Sequence, residues 1–144
     1  MAANFEKGAV FESSTGFMSA EDEDNIDSDP SYEDLASGVL GHVEVVQIHF
    51  DPSKVSYEDL CKFFFQIHDP TTWGHQGTDI GQQYASVIFT ASDAQKVTAE
   101  SVIDKVKDAM SSEKITCFIE DSITTEVYPQ KQFFLAKLDD QKYF

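Results

Sequence analysis

Two stretches of this chain carry apolar residues on one helical face and polar residues on the rest. Leu60, Phe63, Phe64 and Ile67 recur at spacings of three and four, and so do Ala99, Val102, Ile103, Val106 and Met110. A helix with a single apolar stripe must lay that stripe on another element. The candidates lie on either side in sequence. Residues 42–50 and 84–90 read as strands, and residues 10–17, 115–119 and 123–128 read as further strands. Some strands are separated by a helix and others follow one another directly. That mixture predicts an α+β fold, with helices covering one mixed sheet in two layers. A length of 144 residues and an apolar content of 41%, twelve of the residues being Phe, suffice for one domain over 1–144 with its own core.

The helix starts are written locally. Ser-Tyr-Glu-Asp-Leu occurs at 31–35 and again at 56–60. Each copy places Ser at an N-cap with an acidic residue three positions on, at the positive end of the helix dipole. Ser92 followed by Gln95 starts the longest helix, from Asp93 to about Met110. Asp51-Pro52 turns the chain between a strand and a helix. Pro129 is expected to open a last short helix, so that 129–144 is a short helix and tail. The run Glu21-Asp22-Glu23-Asp24-Asn25-Ile26-Asp27-Ser28-Asp29-Pro30 predicts a solvated loop at about 20–30. It lacks the central Gly and the ligand spacing of a calcium loop.

Charge excludes several functions. Twenty-six acidic residues face ten basic ones, all Lys, for a net charge of -16. Such a chain is repelled by nucleic-acid backbones and by anionic membrane surfaces. No apolar run approaches the roughly 20 residues of a membrane helix, and the first residues have no signal-peptide pattern. Cys61 and Cys117 have neither metal spacing nor a C-x-x-C arrangement, and both read as buried thiols. His42, His49, His68 and His75 show no zinc spacing, so no metal site is expected. A reducing, cytoplasmic compartment is the default expectation.

Two segments are far from generic: Gly41-His42-Val43-Glu44-Val45-Val46, and His68-Asp69-Pro70-Thr71 followed by Gln76-Gly77-Thr78-Asp79-Ile80-Gly81-Gln82-Gln83-Tyr84-Ala85-Ser86. In order and distance they resemble the peptide methionine sulfoxide reductase A family. Their flanks agree: Asp29-Pro30-Ser31-Tyr32-Glu33 and Asp51-Pro52-Ser53-Lys54-Val55-Ser56-Tyr57-Glu58 both have counterparts in that family. The resemblance spans about residues 3–138. It implies a ferredoxin-like α+β sheet. It also implies thiol-dependent reduction of methionine sulfoxide in proteins, an oxidative-damage repair reaction. No bound cofactor is implied; thioredoxin or another dithiol would be the reductant and a partner.

In that reaction a cysteine thiolate attacks the sulfoxide sulfur and an acid protonates the departing oxygen. Hydroxyl groups hold that oxygen, and the resulting sulfenic acid is resolved by a second thiol. By resemblance Glu44 is the proton donor, and Asp79, Tyr84 and the position of Phe17 form the substrate-binding set. Read from the residues alone, Glu44 shares a strand face with His42, Val46, Ile48 and Phe50. A carboxyl buried there favours its neutral form, whereas at an exposed strand end it is an ordinary surface Glu. Asp79 also reads as a turn cap, and Tyr84 as a core tyrosine with its hydroxyl satisfied. His68 reads as structural.

The family's G-C-F-W-G nucleophile motif has no counterpart here. Ala2-Ala3-Asn4-Phe5-Glu6-Lys7 matches the stretch that follows the cysteine in the family, so the chain is expected to begin inside the first helix with the first strand missing. Phe17 stands where the family has Tyr, Met18-Ser19-Ala20 replaces a glycine pair, and no C-terminal resolving cysteine exists. The resemblance with these departures predicts a chain inactive as given: a truncated enzyme or a pseudoenzyme. The alternative is a non-catalytic module that binds methionine or its sulfoxide. A third reading, catalysis by Cys61 or Cys117, lacks an Arg to stabilise a thiolate.

Overall fold

The computed structural model describes residues 5–21 and 30–141. The body of the acidic run, residues 22–29, lies outside the described residues, so the expected loop there is not part of the description. The chain divides into two compact units, one ending at Ser56 and resuming at Lys131, the other spanning Tyr57–Gln130.

The first unit is built on a long antiparallel ladder. Strand β1 (Val10–Ser19) pairs with β2 (His42–Phe50) from Val10↔Phe50 to Ser19↔His42, with an irregularity between Val10 and Glu12. The predicted span of β2 is the observed one; β1 runs two residues past its expected end. Helix α1 (Tyr32–Ser37) starts as its sequence requires. The Ser31 hydroxyl accepts from the Asp34 N–H, and Gly38 closes the helix at φ 72°, in the left-handed region that favours glycine. Phe17 from β1, Leu35 from α1 and Ala136 form a buried cluster, with Tyr32, Ala36 and Phe134 packed on it.

Two expectations about the C-terminal stretch are corrected here. Residues Phe134–Leu135 form a short strand, β7, paired with β1 through Gly16↔Leu135 and Phe17↔Phe134. The only helical piece described after Pro129 is a 3-10 turn at Leu138–Asp140. Pro129 does not start a helix; it ends a strand of the second unit.

That second unit contains α2 (Tyr57–Ile67), a hairpin of β3 (His75–Gln76) and β4 (Asp79–Ile80), then β5 (Val87–Thr90), α3 (Asp93–Ser111) and β6 (Glu126–Pro129). Strands β5 and β6 are parallel, from Val87↔Glu126 to Thr90↔Pro129, with α3 as the crossover between them. Residues 84–86, expected to begin β5, instead end a 3-10 turn at Gln82–Tyr84 and lead into the strand. The core is Cys61 and Phe65 against Ala99, Val102, Ile103 and Val106, with Tyr57, Phe64, Ile88 and Met110 partly buried around it. The α3 stripe is the predicted one. On α2 the buried face is turned: Cys61 and Phe65 are inside, whereas Ile67 is 53% exposed. Lys105 of α3 donates to Glu58 of α2 at 2.8 Å, and Lys62 reaches the same carboxylate at 3.0 Å.

Residues 115–119 form no strand. Their backbone is held by side chains instead: the Asp69 carboxylate accepts from the Ile119 N–H at 2.9 Å, and the Thr71 hydroxyl accepts from the Glu120 N–H at 3.0 Å. Cys117 is therefore exposed, not the buried strand thiol its alternation with Ile115 and Ile119 predicts. Among the described residues the strands form a three-stranded antiparallel sheet, a two-stranded hairpin and a parallel pair. Among the described residues no helix is long and apolar enough to cross a membrane.

Candidate functional site

In the first unit, the β1–β2 register brings two of the candidate residues together. Phe17 stands directly opposite Glu44, so their side chains leave the same face of the ladder. Phe17 is 3% exposed, sunk into the cluster with Leu35 and Ala136. Glu44 is exposed. The expectation of a carboxyl neutralised by burial on an apolar strand face is thereby corrected: Val46, two residues on, is also open to solvent, and the buried end of the strand is at His42 and Val43. The pair sets a buried aromatic ring opposite an exposed carboxylate on one face of the ladder.

Sequence reasoning missed the group that completes this corner. The Tyr32 ring meets the Phe17 ring edge-on, with centroids 5.7 Å apart and an interplanar angle of 83°. Its hydroxyl donates to the Asp140 carboxylate. That hydrogen bond, burial and the nearby charges of Asp140 and Glu44 push the Tyr32 phenol up, against a smaller opposing pull from the Lys137 N–H. Lys137 Nζ lies 4.0 Å over the Tyr32 ring and 3.7 Å from the Glu33 carboxylate. No spacing in the sequence signals it, because its partners Phe17 and Asp140 lie far from it along the chain.

His42, in the same unit, is 1% exposed, and neither ring nitrogen has a hydrogen-bond partner. Its ring packs edge-on against Phe134 at 5.5 Å. Burial pushes its pKa down, with the Leu40 carbonyl pulling weakly the other way.

In the second unit, the H-D-P-T turn and the Q-G-x-D hairpin brace each other. Asp69 Oδ1 accepts from the Thr71 N–H at 2.9 Å and the Thr71 hydroxyl at 2.5 Å. Gln76 donates through Nε2 to the Asp69 carbonyl at 2.6 Å and accepts the Asp69 N–H at 3.1 Å. Burial raises the Asp69 carboxyl, but the donors from Thr71 and Ile119 outweigh it and hold the group below the usual range. Gly77 turns the hairpin at φ 58°. This frame presents Asp79 on β4, exposed, and Tyr84 at the end of the next turn, half-buried.

His68 is structural, as expected. Its Nδ1–H donates to the Phe64 carbonyl at 2.7 Å, leaving Nε2 to accept from the Ser86 hydroxyl at 2.8 Å. Ser86 is in turn 2.8 Å from the Thr125 hydroxyl. Burial pushes the His68 pKa down.

The thiols differ sharply. Cys61 is 4% exposed, and burial raises its pKa, with the Tyr57 hydroxyl partly opposing. Such a thiol is a poor nucleophile. Cys117 is open to solvent. Among the described residues no group of three His, Cys, Asp or Glu side chains is placed to hold a metal ion.

The sequence profile of the family described as Peptide methionine sulfoxide reductase matches residues 2–144. A Peptide methionine sulfoxide reductase MsrA of Halobacterium salinarum is 38% identical over 117 residues, covering 81% of this chain and 62% of its own length. MsrA 1 of a Nostoc species is 43% identical over 115 residues, covering 80% of this chain and 66% of its own length. The chain thus spans about three-fifths to two-thirds of these curated relatives. Among solved structures, reduced Mxr1 from Saccharomyces cerevisiae superposes with a TM-score of 0.78 at 28% identity, covering 99% of this chain and 74% of Mxr1. Methionine sulfoxide reductase A of Corynebacterium diphtheriae gives 0.77 at 27% identity, covering 94% and 63%.

Proposed function

The chain belongs to the peptide methionine sulfoxide reductase family, and from that premise we propose that it recognises methionine sulfoxide in polypeptides but does not reduce it unaided. The observation that carries this reading is the register of Phe17 with Glu44. A methionine sulfoxide presents an apolar methyl and methylene on a sulfur that bears a strongly accepting oxygen. An apolar floor with a carboxyl at its edge suits that shape: the floor takes the methyl, and the carboxyl, when protonated, donates to the oxygen. Asp79 and Tyr84 are candidate substrate-binding residues by family likeness.

Reduction needs more. A thiolate must attack sulfur while the S–O bond breaks and the oxygen takes up protons. Two thiols end as one disulfide, and the oxygen leaves as water. Cys61 is unsuited to begin this, because its thiol is buried and raised in pKa. Thioredoxin or another dithiol would serve to re-reduce the attacking thiol.

The experiment takes the purified 144-residue chain with a peptide carrying the S-epimer of methionine sulfoxide and dithiothreitol. The expected result is no methionine by mass spectrometry, together with saturable binding of the sulfoxide peptide by calorimetry and weaker binding of the unoxidised peptide. Turnover overturns the non-catalytic part; absence of binding at millimolar peptide overturns recognition. A second reading, catalysis through Cys117, has its exposure in favour. It requires turnover that Cys117→Ser abolishes.

A further inference from the structure

Three large apolar side chains of the second unit stand in water on adjoining loops. Trp73, the chain's single tryptophan, is 72% exposed, Ile80 is 81% exposed and Ile119 is 67% exposed. One exposed hydrophobic residue needs no explanation, but a group of them marks an interaction surface. The loops are tied together. The Asp69 carboxylate and the Thr71 hydroxyl hold the N–H groups of Ile119 and Glu120, and the Pro70 carbonyl accepts from the Thr124 N–H at 2.8 Å. Trp73 follows that turn directly. Ile80 belongs to the next hairpin, opposite His75.

The backbone under Trp73 is fixed although its ring is not packed. The Thr72 hydroxyl donates to the His75 carbonyl at 2.6 Å, bridging Trp73 and Gly74, and the Gly81 N–H donates to the Gly74 carbonyl at 2.8 Å. A braced loop that holds a tryptophan in water is preorganised for contact. The ring buries a large apolar area and loses little conformational freedom in doing so.

Charge says what the partner is. Residues 69–86 and 115–125 contain four carboxylates, Asp69, Asp79, Glu120 and Asp121, and no lysine. Asp69 is engaged within the turn, whereas Asp79, Glu120 and Asp121 are exposed. In a chain of net charge -16 this face repels acidic partners, a second copy of itself included. It favours a segment with lysine or arginine beside an apolar side chain. Asp79, the neighbour of Ile80, is a candidate substrate-binding residue, so the surface continues from the candidate site.

Resting on the recognition function, we propose that Trp73, with Ile80 and Ile119, is a docking surface for the polypeptide segment that flanks the oxidised methionine. Trp73 covers an apolar side chain of that segment, and Asp79, Glu120 and Asp121 select for lysine or arginine beside it. Oxidised methionines are thereby distinguished by their flanks.

The test uses the full chain and a pentapeptide with the S-epimer of methionine sulfoxide at its centre, leucine on either side and lysine at both ends. Two relatives replace the leucines by glycine or the lysines by glutamate. Affinity is read by calorimetry, and docking by the fluorescence of Trp73, which has no other tryptophan to mask it. The leucine–lysine peptide is expected to bind tightest and to move the emission to shorter wavelength. Trp73→Ala is expected to weaken that peptide about ten-fold and to leave the glycine peptide nearly unchanged. Ile80→Ser, which keeps the fluorophore, is expected to weaken the leucine peptide about three-fold. Added sodium chloride should narrow the gap between the lysine and glutamate peptides. Calorimetric binding with an unmoved emission overturns the proposal while recognition stands, and so does a Trp73→Ala chain that loses affinity equally for the leucine and glycine peptides. Sedimentation that finds a dimer dissolved by Trp73→Ala also overturns it, since the surface then serves self-association. If no sulfoxide peptide gives heat at millimolar concentration, the recognition function itself fails and this inference falls with it.

Discussion

Replacing His42 with Leu should make the protein more stable and remove part of its acid sensitivity. The side chain is 1% exposed, and both ring nitrogens lack hydrogen-bond partners. Each buried polar group left unpaired costs on the order of 1–3 kcal/mol. Leu has a similar volume, so little cavity is created. The loss is the edge-on contact with Phe134, about 0.5–1.5 kcal/mol. With the low end taken for each of the two nitrogens, the balance at pH 7.5 favours the variant by about 1 kcal/mol. The pH dependence follows from linkage. Burial pushes the folded-state pKa of His42 below its ordinary value, so between the two values the unfolded chain binds more protons than the folded one. Stability is therefore intact above about pH 6.5 and is lost as pH falls below it. From pH 7.5 to 5.5 one such histidine removes at most about 1.4 kcal/mol. His68 is lowered for the same reason and adds a like amount. Urea unfolding followed by circular dichroism at pH 7.5, 6.5 and 5.5 measures both effects. A His42→Leu chain that unfolds more easily at pH 7.5, or that loses as much stability on acidification as wild type, refutes the reasoning.

Other expected outcomes follow from particular contacts. His68→Leu should lose stability at pH 7.5, by roughly 1–3 kcal/mol, because the Phe64 carbonyl and Ser86 hydroxyl lose a partner; the same denaturation series checks it. Gly16→Ala should detach β7 from β1: an added Cβ would lie 2.3 Å from the Phe134 carbonyl oxygen and 2.4 Å from the Phe133 ring. The expected cost is about 1–3 kcal/mol, with faster amide exchange at Phe17 and Ala136. With a thiol reagent at neutral pH the native chain should react rapidly at Cys117 alone, and at Cys61 only after denaturation. Peptide mapping that finds Cys61 labelled first contradicts the structure.

The sequence was most legible where the deciding interactions are local. Ser31 and Ser92 accept hydrogen bonds from the N–H groups three residues on, as their cap positions require. The alternation over residues 42–50 became a strand with those bounds. The stripe on α3 became its buried face. On α2 the same kind of pattern misled by part of a turn, because several adjacent faces of that helix are apolar. Which one is buried depended on the fit of Cys61 and Phe65 against Ala99 and Val102, a fact of packing and not of periodicity. Residues 115–119 alternate as a strand does, yet the N–H groups of Ile119 and of the next residue, Glu120, were claimed by Asp69 and Thr71, about fifty residues away in sequence. Pro129 resembles a first helical residue, but a strand end tolerates proline equally well, since the next bond is made by the Gln130 N–H to the Thr90 carbonyl.

The candidate site divides along the same line. Asp79 and Tyr84 were placed by a motif whose internal bonds, Asp69 with Thr71 and Gln76, are short-range and hence encoded within some fifteen residues. Glu44 was named from its motif, but its exposure was not foreseeable, because a strand face alternates in sequence without saying which end of the strand is covered. Tyr32 was invisible for a stronger reason. Its partners are Phe17, fifteen residues before it, and Asp140, 108 residues after it. Neither relation has a spacing rule. Contacts of that range can be found only once the ladder, the helix and the tail are folded together.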